Sequence, residues 1–230
     1  MDDLITEMVE FDGNGSPLPG YLAQPDDALT YPGIVVIQEW WGMNDHIKDV
    51  VNRFAREGFV AVAPDLYRGV IAEEPDDARR LAMEMKRVDA VGDVQGAVNY
   101  LVSLPQVQPK KIGVIGFCMG GVIASLVSID GQSLGAVAVF YGAPQYTTEN
   151  IENVSAPLLG IFGEADQGIP VENVRAAEDL LKSAGKTAEF HIYPNAPHAF
   201  FNDTRPHIYD ATSAADAWER TLAWFRKHLV

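Results

Sequence analysis

Cys118 is the only cysteine in 230 residues, and its setting is Gly116-Phe117-Cys118-Met119-Gly120-Gly121. The hexapeptide follows the apolar run KIGVI at 111–115 and precedes an apolar stretch of helical character. This is the G-x-S-x-G nucleophile-elbow pattern with Cys in the Ser position, in the strand–turn–helix context it needs. The turn demands small residues two before and two after the nucleophile, since a Cβ there would strike neighbouring backbone. Gly116 and Gly120 meet that demand. A helix N-terminus directly after the turn supplies free N–H groups and a positive dipole, which favour a thiolate and an oxyanion. A phosphate loop would need Gly-Lys-Ser/Thr, and a dinucleotide turn would need G-x-G-x-x-G; neither stands here. Tight strand–helix packing is the plainer alternative.

A nucleophile needs a base, and the base needs an orienting acid. An elbow of this kind is followed in the chain by the acid and then the histidine. Asp166, in Gly163-Glu164-Ala165-Asp166, follows the apolar run LLGIF. His198, in Asn195-Ala196-Pro197-His198, follows the run EFHIYP. Both fall at the carboxyl ends of expected strands, where open parallel sheets carry their sites. Glu164 is the rival acid. Among the other histidines, His191 lies inside a strand, His207 in a polar stretch, His228 near the end and His46 at a helix start. Glu39 is a further oddity, a carboxylate at the end of the buried run GIVVI, between Gln38 and Trp40-Trp41. Desolvation there would raise its pKa and suit it to proton exchange with a thiol; an exposed loop acid is the alternative.

The elements that must position these groups alternate in type. Leu4 to Phe11 and Gly20 to Ala23 read as a hairpin around Asp12-Gly13-Asn14-Gly15, contributing antiparallel edge strands. Short apolar runs at 33–37, 59–63, 111–115, 134–140, 157–162 and 188–193 read as strands. Helical spacing covers 45–57, 72–87, 91–104, 122–129, 172–184 and 211–228. Strands alternating with helices imply an α/β protein with a mostly parallel, doubly wound sheet covered on both faces.

Composition narrows the function classes. Hydrophobic residues make up 47% and charged residues 21%, enough apolar side chain for a sizeable core. No apolar run approaches the ~18–20 residues a bilayer span requires, and the acidic start MDDLITEM does not read as a signal peptide. The net charge of −15 repels a phosphate backbone, so nucleic acid is not an expected partner. A lone cysteine forms no intrachain disulfide and suits a reducing, cytoplasmic setting. Nothing has metal-ligand spacing, so neither metal nor cofactor is expected.

Taken together, QEWWG (38–42), PDLYRG (64–69), GFCMGG (116–121), GEAD (163–166) and PNAPHAFFN (194–202) resemble the dienelactone hydrolase family. The resemblance implies an α/β-hydrolase fold, one domain over 1–230, and a triad of Cys118, His198 and Asp166. It also implies that Glu39 holds the resting thiol and yields it to the histidine. The oxyanion hole would then be the backbone N–H groups of Trp40 and Met119. Two departures stand out. The family's founding enzymes hold a substrate carboxylate with arginines, one of them four residues past the histidine; here that position is Asn202, with Arg205 nearest. The other would fall near Arg79 or Arg80. Trp40, Trp41 and Tyr141 either line an apolar pocket or belong to the core. The expected activity is cysteine-dependent hydrolysis of a small activated lactone or ester through a thioester, by a monomer or weak homodimer. A promiscuous esterase or thioesterase, and a non-catalytic binding or thiol-sensing scaffold, are the alternatives.

Overall fold

The computed structural model describes residues 4–230. Its strands, in chain order, are β1 (Leu4–Asp12), β2 (Pro17–Pro25), β3 (Gly33–Ile37), β4 (Val60–Pro64), β5 (Ile112–Phe117), β6 (Leu134–Phe140), β7 (Leu158–Gly163) and β8 (Ala188–Tyr193). They form one eight-stranded sheet in the order β1-β2-β4-β3-β5-β6-β7-β8. From β4 through β3 to β8 every pairing is parallel; β1–β2 and β2–β4 are antiparallel. Strands β3 to β7 are buried at every position, as runs such as GIVVI and LGAVAVF require when both faces are covered. The opening hairpin was expected to supply edge strands, but of its two strands only β1 is an edge; the other edge of the sheet is β8. β2 is internal, because its second hydrogen-bonding side is taken by β4 over Gly20–Ala23.

The helices are α1 (Asp45–Arg56), α2 (Pro75–Glu84), α3 (Arg87–Ser103), α4 (Met119–Val127), α5 (Val171–Ser183) and α6 (Ala211–Leu229). Two glycines reveal the layering. A Cβ on Gly33 would meet Ile112 and Leu101 of α3, whereas one on Gly113 would meet Phe225 and Leu229 of α6. Ile112 and Gly113 are successive residues of β5 and so point to opposite faces, which puts α3 and α6 on opposite sides of the sheet. On the α6 side, Phe54 of α1 packs against Trp218 and Phe225.

Two helix boundaries differ from the sequence reading. Instead of one helix over 72–87 and another from 91, α2 is short and α3 starts at Arg87, because Met85 and Lys86 are extended (ψ 121° and 123°) and break the run. The helix expected from 122 begins at Met119, so the turn at Cys118 enters α4 without a linker. Among the described residues no helix is long and apolar enough to cross a membrane.

Candidate active site

Cys118 has φ 55° and ψ −114°, a strained conformation for a residue with a side chain. Its surroundings hold it there. A Cβ on Gly116 would collide with the carbonyl of Gly120, and one on Gly120 would lie 2.5 Å from the carbonyl oxygens of both Ile37 and Gln38. The glycines thus let α4 start hard against β3. The Cys118 N–H donates to the Phe140 carbonyl at 3.0 Å, which ties the turn to the end of β6.

The loops after β7 and β8 bring the other two groups to this corner. His198 Nε2 lies 3.2 Å from Cys118 Sγ, and His198 Nδ1 lies 2.6 Å from Asp166 Oδ2. Asp166 is buried, and its Oδ1 accepts from the Gly168 N–H at 2.8 Å, fixing the carboxylate. Burial alone would lower the His198 pKa. The Asp166 carboxylate and the Cys118 sulfur outweigh it and push the imidazole up to about 10. Glu164 is exposed and accepts instead from the Asn195 N–H, on the outside of the loop. His191 pairs with Glu189 on β8, and His46 is buried on α1 with Asp203 3.5 Å away.

Glu39 is 2% exposed, so the loop-acid alternative fails. Its Oε2 accepts from Asn202 Nδ2 at 2.8 Å and its Oε1 from the Tyr141 hydroxyl at 3.5 Å. Desolvation raises its pKa; the Asn202 bond and the charges of His198 and Arg205 pull part of the way back. The expectation that Glu39 holds the thiol differs from the arrangement present. Sγ faces His198, and Glu39 is occupied by Asn202 and Tyr141, although Glu39 and Cys118 border the same hollow. The N–H groups of Trp40 and Met119 donate to no acceptor among the described residues, and both residues line a pocket with Cys118 and His198. The Tyr67 hydroxyl meets Met119 Sδ at 3.2 Å.

The expected substrate contacts divide. Asn202 does not face a substrate but anchors Glu39, with Thr204 donating to its Oδ1. Arg79 and Arg80 are exposed and pair along their own helix with Asp76, Asp77 and Glu84; a helix that buries only Ala78 turns both outward. Arg205 stacks over Trp41 at 5.0 Å and borders a hollow of about 240 Å3 beside Cys118. Tyr141 combines the two alternatives drawn for it, being fully buried yet lining the pocket. Sequence reasoning missed Ala82, Met85, Arg87, Val122, Ile123 and Ile169, which line the larger pocket of about 300 Å3. Nothing in the motifs marks them, since the break at 85–86 that turns the first three toward Cys118 has no Gly or Pro. No cluster of His, Cys, Asp and Glu able to hold a metal ion occurs among the described residues.

Known proteins align with this arrangement along nearly its whole length. "Protein usf" of Aquifex pyrophilus is 38% identical over 97% of this chain and 99% of its own length. A protein of Aquifex aeolicus named "Putative carboxymethylenebutenolidase" is 36% identical, again over 97% of this chain and 99% of its own. Among solved structures, the "Putative Dienelactone Hydrolase" of Klebsiella pneumoniae superposes with a TM-score of 0.89 at 30% identity, covering 98% of this chain and all of that one. The sheet is therefore that of the α/β-hydrolases. The model of the dienelactone hydrolase family matches residues 18–229, and the chain belongs to that family of hydrolases acting on ester-like bonds.

Proposed function

We propose that the chain hydrolyses activated lactones or esters by covalent catalysis at Cys118. The observation that carries this reading is the relay at the elbow, with Sγ 3.2 Å from Nε2 and Nδ1 2.6 Å from a buried carboxylate. His198 takes the thiol proton, and the thiolate attacks the carbonyl carbon to form a C–S bond. Charge on the carbonyl oxygen is received by the Trp40 and Met119 N–H groups. The tetrahedral intermediate collapses, the ester C–O bond breaks, and the departing oxygen leaves as an enolate or takes the proton from His198. A thioester remains. Water then loses a proton to the neutral His198, or to the departing enolate where His198 is still protonated, and attacks the thioester carbonyl. The C–S bond breaks, the sulfur takes its proton back from His198, and acid and thiol are released.

Glu39 has a place in the same cycle. A buried carboxyl with a raised pKa that borders the same hollow as Cys118 and His198 is suited to exchange a proton with His198 between steps and to return it. An enol or phenol leaving group suits this site, since a thiolate expels an acidic alcohol more readily than an alkoxide. The free thiol required by the mechanism fits a reducing compartment such as the cytoplasm.

The test is a panel of activated lactones, aryl esters and thioesters assayed with the wild type and Cys118→Ala in parallel. The reading expects turnover by the wild type and a loss of several orders of magnitude in the variant. Near wild-type turnover by the variant would end it.

A further inference from the structure

Two hollows meet at Cys118, and their chemistry differs. The smaller, beside Glu39, Trp41 and Arg205, carries a cation and a buried carboxyl. The larger, about 300 Å3, is walled by Ala82, Met85, Val122, Ile123 and Ile169. Apart from His198, the only ionisable side chains lining it among the described residues are Cys118, Tyr141 and the exposed Arg87. The volume has room for roughly ten water-sized units at ~30 Å3 each, far more than a five-membered lactone ring fills. Nor does it stop there. Ala143, Gly168 and Ile169 also border a further groove of about 310 Å3, which continues past Pro144 and Pro170 to Ala177 and Leu180 of α5.

Resting on the hydrolase reading, we propose that the larger hollow is an acyl site for neutral, unbranched apolar acyl groups of about six to ten carbons. Longer chains enter the groove beyond Ile169. The assignment of acyl group to this side follows from the elbow. Met119, whose N–H faces the developing oxyanion, lies three and four residues before Val122 and Ile123, which wall this hollow. The acyl carbons of a carbonyl seated on that N–H run along the same side of α4. The opposite hollow, with Arg205, suits the departing oxygen. Apart from the His198 imidazole and the exposed Arg87, the large hollow has no cation among the described residues to hold a carboxylate, and it has a wall of apolar surface to be removed from water.

The experiment is a series of 4-nitrophenyl esters from acetate to decanoate, which keeps the leaving group constant. kcat/KM is expected to rise about three- to fourfold per methylene up to six to eight carbons, then level off. Ile169→Trp, at the join of hollow and groove, is expected to lower the decanoate-to-butyrate ratio at least tenfold. A second arm uses alkyl methyl ketones of the same lengths, read by tryptophan fluorescence with Cys118→Ala protein; affinity is expected to climb with chain length in the same way. Flat or falling trends in both arms overturn the acyl site. Ketone affinity that climbs while no ester is cleaved supports the acyl site and overturns the hydrolase reading instead.

Discussion

Cys118, His198 and Asp166 come from three different loops, and their spacing depends on small local devices. The Asp166 carboxylate and the Cys118 sulfur together set the state of His198, since burial acts in the opposite direction. With a pKa near 10, the imidazole keeps through neutral pH the proton it takes from the Cys118 thiol, has it ready for the leaving group, and loses it as pH rises through 10. The rate is therefore expected to fall on that alkaline limb. In Asp166→Asn one of the two raising partners is gone, so the limb should move to lower pH and kcat should drop roughly 100- to 10,000-fold. A pH–rate profile of both proteins checks it; superimposable alkaline limbs would contradict the assigned role. The neutral Asn202 yields a second expectation. Without a buried arginine clamp, an anionic lactone should be preferred over a neutral ester by less than ~100-fold in kcat/KM, a bidentate charged pair being worth about 1.5–3 kcal/mol per charge-assisted bond. A larger preference would mean that Arg87 or Arg205 reaches the substrate. At this scale the meeting of Cys118, His198 and Asp166 was legible because each sits in a short motif at a strand end. The partner of Glu39 was not, since Asn202 lies 163 residues away and only the fold brings it within 2.8 Å.

The elements place those residues through close approaches that leave no room for side chains. Gly120 is the tightest of them at the site, with carbonyl oxygens of Ile37 and Gln38 each 2.5 Å from where a Cβ would stand. Gly120→Ala is expected to push α4 away from β3, cost about 1–3 kcal/mol of stability, and reduce activity by much more than the stability loss explains. Urea denaturation together with kcat/KM would show this; an unchanged midpoint and unchanged activity would contradict the packing account. Buried parallel strands were readable because they must be apolar at every position, so 33–37 and 134–140 were delimited to the residue. The α2–α3 break was not, because Met85 and Lys86 are ordinary helix formers, extended here without Gly or Pro to mark them. The outer pairing of β2 was equally hidden, since a hairpin motif does not state which further strand it joins.

Across the whole molecule, the loop after His198 is fastened at three points. Asn202 binds Glu39, Arg205 lies on Trp41, and Asp203 pairs with Arg53 of α1, with His46 close by. His46 is 2% exposed, and desolvation pulls its pKa down to about 4, against the attraction of Asp203. A base with a depressed folded pKa favours folding when it is neutral. Its contribution is present above pH 6.5 and is lost as pH falls toward 4, by up to about 3 kcal/mol. His46→Leu is expected to flatten the stability-versus-pH curve in that window; a curve unchanged from wild type would show that other groups govern acid unfolding. The charge of −15 spoke to partners and solubility, not to fold. The class of fold was legible at this scale from the alternation of strands and helices, whereas the two hollows at Cys118 arise where the strand-end loops, the α2–α3 break and the start of α4 meet, which the alternation does not specify.

The central claim is that Cys118 carries the acyl group. Rapid-quench mass spectrometry of the enzyme mixed with an activated aryl ester tests it directly. The account predicts one acyl group per chain, on the peptide holding Cys118, formed with the burst of alcohol and decaying at the turnover rate. An acyl group on any other residue, or steady turnover with no adduct at any quench time, would contradict it.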